Sequence, residues 1–521
     1  DKATYVFNAL WEISIETQKE ILTFLKQANA PAESLFIVNA IKSEGSREMI
    51  EALAQREDVA QIVANPLLQN AEPIDVNNGG NRAKITWGID TIKADEVWSM
   101  GFRGQGVVVG GADTGYEWTH PALKNQYRGY DQAVDTVNHN YNWHDAIHSI
   151  SPLSNDSINP CGLDVLQPCD DRGHGTHTMG TMTGLDGEEQ IGVAPEAEWC
   201  ACRNMERGNG SPFTYLECFQ WFLAPTDLNN KNPDPTKAPH VINNSWGCPE
   251  SEGCDSSNWL ILDMAINILR LSGVVVVVSA GNGGSGCGSV SNPPAMYEGS
   301  FSVGATAEND TIAGFSSRGP VLVDGSHRLK PIVSAPGVRV RSSTLGGNYG
   351  NSSGTSMAGP HVAGLVALII SANPDLSGKV EIIEDIIERT AIPKTTEQIC
   401  GGIPGSEVPN NTYGFGRIDA LAAVHAAIAL IPVSTYHVDN AIGANVYPNP
   451  VDHVLTIDLQ NITGEARIEI YDAQGRLISH HTSNHQKNDS IQIDFSKHVS
   501  GIYFYRILVN GNMVNGKVVK N

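Results

Sequence analysis

Five consecutive valines, Val274 to Val278, constrain this chain more than any other segment. β-Branched side chains favour extended backbone, and a run with no polar residue on either face cannot lie at a sheet edge. The run therefore belongs inside a sheet that is covered on both faces. It continues as Ser279-Ala280-Gly281-Asn282-Gly283, so the strand delivers an Asn amide at its end. A second short buried-strand pattern, Val107 to Ala112, ends in the carboxylate of Asp113. From Trp87-Gly88-Ile89 to about Leu430, apolar strands alternate with helical stretches, the pattern of an α/β doubly wound parallel sheet. In such sheets ligands bind beyond the carboxyl ends of the strands, which is where Asp113 and Asn282 stand.

Residues Ser352-Ser353-Gly354-Thr355-Ser356-Met357-Ala358-Gly359-Pro360 place a hydroxyl at the start of a long apolar helix that runs through Val362 to Ile370. An alcohol becomes a nucleophile only if a base reaches it and the resulting oxyanion is stabilised. The helix N-terminus offers free N–H groups and the positive end of the dipole, while Gly354 and Gly359 allow close approach. A candidate base lies in Gly173-His174-Gly175-Thr176-His177-Thr178, which opens a small-residue helix after an acidic loop. Taken singly, Asp113 and Asn282 read as turn residues, His174 as a loop histidine and Ser356 as a helix cap. Together they stand in the order Asp, His, Ser, which is the subtilisin order and not that of chymotrypsin or the α/β-hydrolases.

On these four phrases the chain resembles a subtilisin-like serine protease. The resemblance implies a secreted serine endopeptidase that works through an Asp113-His174-Ser356 triad and an acyl-enzyme, with Asn282 as side-chain donor of the oxyanion hole. It also implies an extended protein or peptide substrate beside Ser245-Trp246-Gly247 and Ala280-Gly281. Trp246 stands where Leu is common, and either restricts a subsite or packs in the core. Cys200 to Met205 and Asn243 to Pro249, with the long interval between Asp113 and His174, resemble the bacillopeptidase F-like branch. That interval, containing Asn142-Trp143-His144-Asp145 and Asn159-Pro160-Cys161, reads as an inserted surface loop. Relatives commonly use calcium as a structural loop clamp. No EF-hand-like run places it here, and the chemistry itself requires no cofactor. His174 and His177 have metal-like spacing but no third ligand motif, and His361 is expected to pack within its helix. An esterase, or a binding protein that lost its catalysis, would share parts of this pattern.

The chain has 521 residues, 57 acidic and 34 basic, for a net charge of −23. This disfavours nucleic acid and anionic membrane as partners. No apolar run is expected to reach the length that spans a bilayer. Asp1 is neither an initiator Met nor part of a leader pattern, so the chain is expected to begin after a removed leader. All nine cysteines lie between Cys161 and Cys400, which suggests local disulfides. The expected pairs are Cys161 with Cys169, Cys248 with Cys254, Cys287 with Cys400, and Cys218 with Cys200 or Cys202.

Three domains are expected. Residues 1–78 alternate strand-like and helical stretches, beginning with a strand: Thr4 to Leu10, Ile15 to Ala28, Leu35 to Ile41, Arg47 to Ala54 and Val59 to Ala64. Their size and position resemble the α+β propeptide of subtilisin-like proteases, which implies a self-processing zymogen with its own propeptide as inhibitor. Residues 79–440 form the catalytic domain. Residues 441–521 alternate at Val454 to Leu459, Ala466 to Tyr471, Ile491 to Phe495 and Gly501 to Val509, with turns at Asp472 to Gly475 and Asn510-Gly511, which predicts a small β-sandwich. With the start Tyr447-Pro448-Asn449-Pro450, this segment resembles the type IX secretion sorting domain, which implies that machinery as partner and a secreted or cell-surface protein.

Overall fold

Seven parallel strands form the central sheet: β1 (Val108–Asp113), β2 (Trp143–Asp145), β3 (Glu198–Arg203), β4 (Val241–Asn244), β5 (Val275–Ser279), β6 (Phe301–Thr306) and β7 (Val333–Pro336). Their spatial order is β7-β6-β5-β4-β1-β3-β2. The valine run lies in the interior as expected: Val275 and Val277 enter one hydrophobic core, and Val276 and Val278 enter the core on the opposite face. This is the period-two alternation of a strand buried on both sides. Helices α1 (His174–Thr183) and α3 (Thr355–Ala372) belong to the first face, and α2 (Pro212–Leu223) to the second. The chain leaves β1 in one direction toward β2 and β3 and resumes on its other side with β4, so the strand order reverses at β1. A crevice therefore opens at its carboxyl end.

The computed structural model describes residues 2–69, 74–77, 85–154, 159–187, 189–431, 443–460, 464–472, 475–485, 490–509 and 512–521. The chain divides into two compact units, Asp1–Leu430 and Ile431–Asn521. The expected boundaries near 78 and 440, and the turns at 473–474 and 510–511, lie outside the described residues.

Four sequence expectations are corrected. Thr4 to Leu10 is not a strand but part of a single helix, Lys2–Gln27. Its buried residues Phe7, Ser14, Gln18 and Leu25 recur at helical spacing. Leu35 to Ile41 is interrupted by a turn, giving a hairpin of Ala32–Leu35 with Ala40–Ser43, and Val59 to Ala64 has no regular structure. Asn142 to Asp145 is not a surface insertion, because Trp143, His144 and Asp145 are buried as the edge strand beside β3. The buried Arg203 guanidinium binds both Asp145 oxygens, at 2.8 and 3.0 Å, and fixes that edge. Helix α3 is 18 residues long and passes for a membrane span by length and composition only. With 89% of that stretch buried inside the protein, it is the core helix of the sheet.

Four disulfides form, Cys161–Cys169, Cys202–Cys218, Cys248–Cys254 and Cys287–Cys400, and Cys200 is a buried free thiol. The second unit consists of antiparallel strands in two sheets. One is Gly443–Tyr447, Val454–Gln460 and Ser490–Asp494; the other is Leu477–His485, Gly464–Tyr471, Gly501–Val509 and Asn512–Lys520. Leu455, Ile457, Ile468, Ile470, Ile493 and Ile507 share its core.

Candidate active site

Asp113 is the last residue of β1, His174 the first of α1, and Ser356 the second of α3. His174 Nδ1 lies 2.7 and 2.9 Å from the two Asp113 carboxylate oxygens. A carboxylate only accepts, so Nδ1 donates and Nε2 is left with the lone pair. That Nε2 is buried and has no hydrogen-bond partner among the described residues. Burial alone would lower the imidazole pKa, but the Asp113 charge and its hydrogen bond outweigh it and hold the group above its ordinary 6.5. The approach depends on Gly175. A Cβ there would sit 2.1 Å from Gly115 O and 3.0 Å from Asp113 Cβ, so no other residue lets α1 start this close to the end of β1.

Asp170, which sequence reasoning passed over, fixes the same loop. Its Oδ1 accepts from Thr114 Oγ1 at 2.8 Å and Gly173 N at 2.7 Å, and its Oδ2 from Thr176 N at 2.9 Å and Thr176 Oγ1 at 2.6 Å. A carboxylate at the first turn of a helix satisfies its orphan N–H groups and favours the dipole. An acid just ahead of the small-residue helix was the available signal.

Ser356 Oγ donates to Ser245 O at 3.4 Å, and Ser245 Oγ donates back to Ser356 O at 3.1 Å. The end of β4 is thereby tied to the start of α3, with the Ser356 hydroxyl turned to the Ser245 carbonyl. Asn282 Oδ1 accepts from Thr355 N at 2.9 Å and from Thr355 Oγ1 at 3.0 Å, which orients the amide. Its Nδ2 and the Ser356 backbone nitrogen both face the space beside Gly354, lying 3.5 and 3.6 Å from where a Cβ on Gly354 would stand. Two nitrogen donors thus lie close to the same point beside Gly354.

A cleft of about 580 Å³ contains all five expected substrate residues, Ser245, Trp246, Gly247, Ala280 and Gly281, together with Asn282 and Ser356. Trp246 is only 3% exposed and stacks on Tyr215 with ring centroids 3.7 Å apart. Arg172, Glu252 and Gln69 also line the cleft and were not foreseen. Gln69 arrives from the N-terminal region: Leu68–Gln69 pairs with Asn209–Gly210, and Gln69 N donates to Glu252 Oε2 at 2.7 Å. Further on, Ile74–Asn77 pairs antiparallel with the strand Asn348–Ser353 that leads into Ser356. His177 and His361 stay outside this chemistry. Burial pushes them down to about 3 and about 4, and they bond to Val340 O and Met357 O.

A family profile described as the subtilase family matches residues 104–416, which carry all four of these groups. The chain belongs to the subtilase family. It is accordingly a serine endopeptidase. A secretion system C-terminal sorting domain matches residues 445–521, the type IX tail expected from the sequence, and indicates export to the surface or medium. Bacillopeptidase F of Bacillus subtilis (strain 168) is 38% identical over 445 residues, 82% of this chain but 29% of that protein. The chain therefore spans under a third of the length of that relative. The alkaline protease of Alkalihalobacillus alcalophilus is 30% identical over 79% of this chain and 90% of its own. Subtilisin Savinase of Lederbergia lenta is 32% identical over 65% and 98%.

Subtilisin relatives commonly bind calcium. Among the described residues, the group of three potential ligands that lies closest together is Glu33, His148 and Glu217. An imidazole nitrogen is not a calcium ligand, so this cluster does not fit that ion.

Proposed function

We propose that Ser356 is the nucleophile, His174 the general base, Asp113 its orienting and stabilising acid, and Asn282 with the Ser356 backbone N–H the oxyanion hole. The observation that carries this reading is the orphaned Nε2 of His174, whose other nitrogen is already committed to Asp113. In this reading the Ser356 hydroxyl exchanges its bond to Ser245 O for one to that nitrogen. Oγ then attacks the peptide carbonyl as Nε2 takes the proton, and charge on the former carbonyl oxygen develops between the two N–H groups beside Gly354. His174 returns the proton to the leaving amine, and water releases the acyl group by the same route. Strands Asn209–Gly210 and Asn348–Ser353, which already pair with extended chain, suit a peptide better than a simple ester.

Residues 1–78 act in this reading as an inhibitory propeptide, 79–440 as the catalytic domain and 441–521 as the sorting domain. The N-terminal chain lines the cleft at Gln69 and pairs with the strand that leads into Ser356, which favours self-cleavage between about Gln69 and Gly80. Calcium acts as a loop clamp, and chelation is expected to lower the thermal midpoint.

Ser356→Ala tests the whole scheme. Intact mass and N-terminal sequencing, in a host without extracellular proteases, should show wild type cut in that interval and the variant whole. An active wild type with its N-terminal domain uncut would remove the propeptide reading. Undiminished peptidase activity of the variant would remove the catalytic one.

A further inference from the structure

Away from the cleft, the N-terminal domain meets the catalytic domain over α2. Gln220 Oε1 on α2 accepts from Phe36 N at 2.6 Å and Ile37 N at 3.3 Å, and Phe36, Ile37 and Val38 are buried there. At the rim of this contact stand Glu33 of the hairpin strand Ala32–Leu35, Glu217 of α2, and His148 of the loop after β2. One ligand atom from each lies within 4.8 Å of the other two.

We propose that Glu33, His148 and Glu217 bind a divalent transition-metal ion of the zinc class, clasping the N-terminal domain to the catalytic domain. Both catalytic-domain ligands are oriented by a further side chain. His148 Nδ1 lies 2.5 Å from Asp164 Oδ1, which commits that nitrogen as donor and turns Nε2 to Glu217, 3.1 and 3.0 Å from its oxygens. Glu217 Oε1 in turn accepts from His144 Nε2 at 2.8 Å, and His144 stacks on Trp221. A carboxylate behind a ligating imidazole and a donor behind a ligating carboxylate are the outer contacts that hold zinc ligands in place.

The donor set agrees. One imidazole nitrogen and two carboxylates suit zinc, whereas calcium and magnesium take oxygen alone. Three protein ligands leave a fourth tetrahedral position to water. Ligands about 2.0–2.1 Å from a tetrahedral ion stand about 3.3 Å apart, so the His148–Glu217 pair opens by only about 0.3 Å. The ion takes the place of the proton that Nε2 shares with Glu217. Glu33 is exposed and bonded to Lys42 Nζ at 2.8 Å, and its carboxylate exchanges that bond for the ion.

Because Glu33 belongs to the N-terminal domain, the ion binds the assembled form better and favours retention by the same factor. That consequence, though not the site, rests on reading residues 1–78 as a propeptide.

The test uses untagged full-length Ser356→Ala, in which intact mass verifies that the chain is whole. Zinc is titrated against a chromophoric chelator, and cobalt(II) reports tetrahedral nitrogen–oxygen coordination by its visible absorption. One equivalent is expected, with loss of the tight site in His148→Gln and a weakening of about tenfold or more in Glu33→Gln. Circular dichroism checks that each variant is folded, and zinc should raise the thermal midpoint of the parent but not of His148→Gln. Equal uptake by parent and His148→Gln would overturn the site. Loss in His148→Gln with full affinity in Glu33→Gln would overturn the clasp. Should the wild type prove never to cleave itself, uptake by the whole chain would stand and only the link to release would fall.

Discussion

Replacing Asn282 by Asp separates two tasks of one side chain. Oδ1 holds the start of α3 through two hydrogen bonds from Thr355, and Nδ2 faces the space beside Gly354. Asp retains both acceptors, so its stability should stay within about 1 kcal/mol of wild type. Asn282→Ala loses both bonds and should cost about 2 kcal/mol, at about 1 kcal/mol each. Catalysis should follow the opposite order. In the relative subtilisin, loss of the side-chain oxyanion donor costs about 10²–10³ in kcat, or about 2.7–4 kcal/mol. Ala should lose about this much. Asp should lose more, because a carboxylate about 4 Å from the oxyanion adds about 4 kcal/mol of repulsion at an effective dielectric of 20, enough for a further factor of up to about 10³. Stability is thus ordered Asn, Asp, Ala, and kcat is ordered Asn, Ala, Asp. Urea unfolding reads the first order. Hydrolysis of a peptide anilide, after an unrelated protease has removed the N-terminal segment, reads the second with KM resolved separately. If kcat of both variants stayed within about threefold of wild type, or followed the stability order, the oxyanion assignment would be refuted.

The remaining predictions concern His174, the cysteines and Trp246. General-base action needs neutral His174, and Asp113 holds its pKa above 6.5, so kcat/KM should rise with pH through that raised value. Asp113→Asn should move the midpoint to lower pH and reduce the plateau by about 10⁴; an unmoved midpoint counts against the pair. Thiol titration should find no reactive group in the native protein and a single one, Cys200, after denaturation without reductant. Two or more would contradict the four disulfides. Trp246→Leu should admit bulkier side chains by about 1–3 kcal/mol in relative kcat/KM. Loss of the Tyr215 stack should also lower its thermal midpoint. An unchanged cleavage profile at reduced stability would mean that the indole serves packing alone.

The valine strand, the helix behind Ser356 and the C-terminal strands were legible because each is a local pattern whose burial is written in its own periodicity. So was the order of Asp113, His174 and Ser356, carried in short phrases at strand ends and helix starts. Thr4 to Leu10 was misread because its burial stripe emerges only over the whole of Lys2–Gln27. Trp143 to Asp145 was misread because its strand is specified by β3 and by Arg203, far along the chain. Cys200 and Cys202 occupy one face of β3, so alternation could not choose between them. The register of α2 on the sheet brings Cys218 to Cys202. Residue order alone specifies which groups are present and which element ends carry them. Only tertiary structure decided that Asp113 meets His174 across the Gly175 contact, that Nδ2 of Asn282 and the Ser356 N–H share the space beside Gly354, and that Glu33 stands against His148 and Glu217. Local patterns depend on neighbours a few residues apart, whereas these contacts join elements whose meeting is set by how the layers pack.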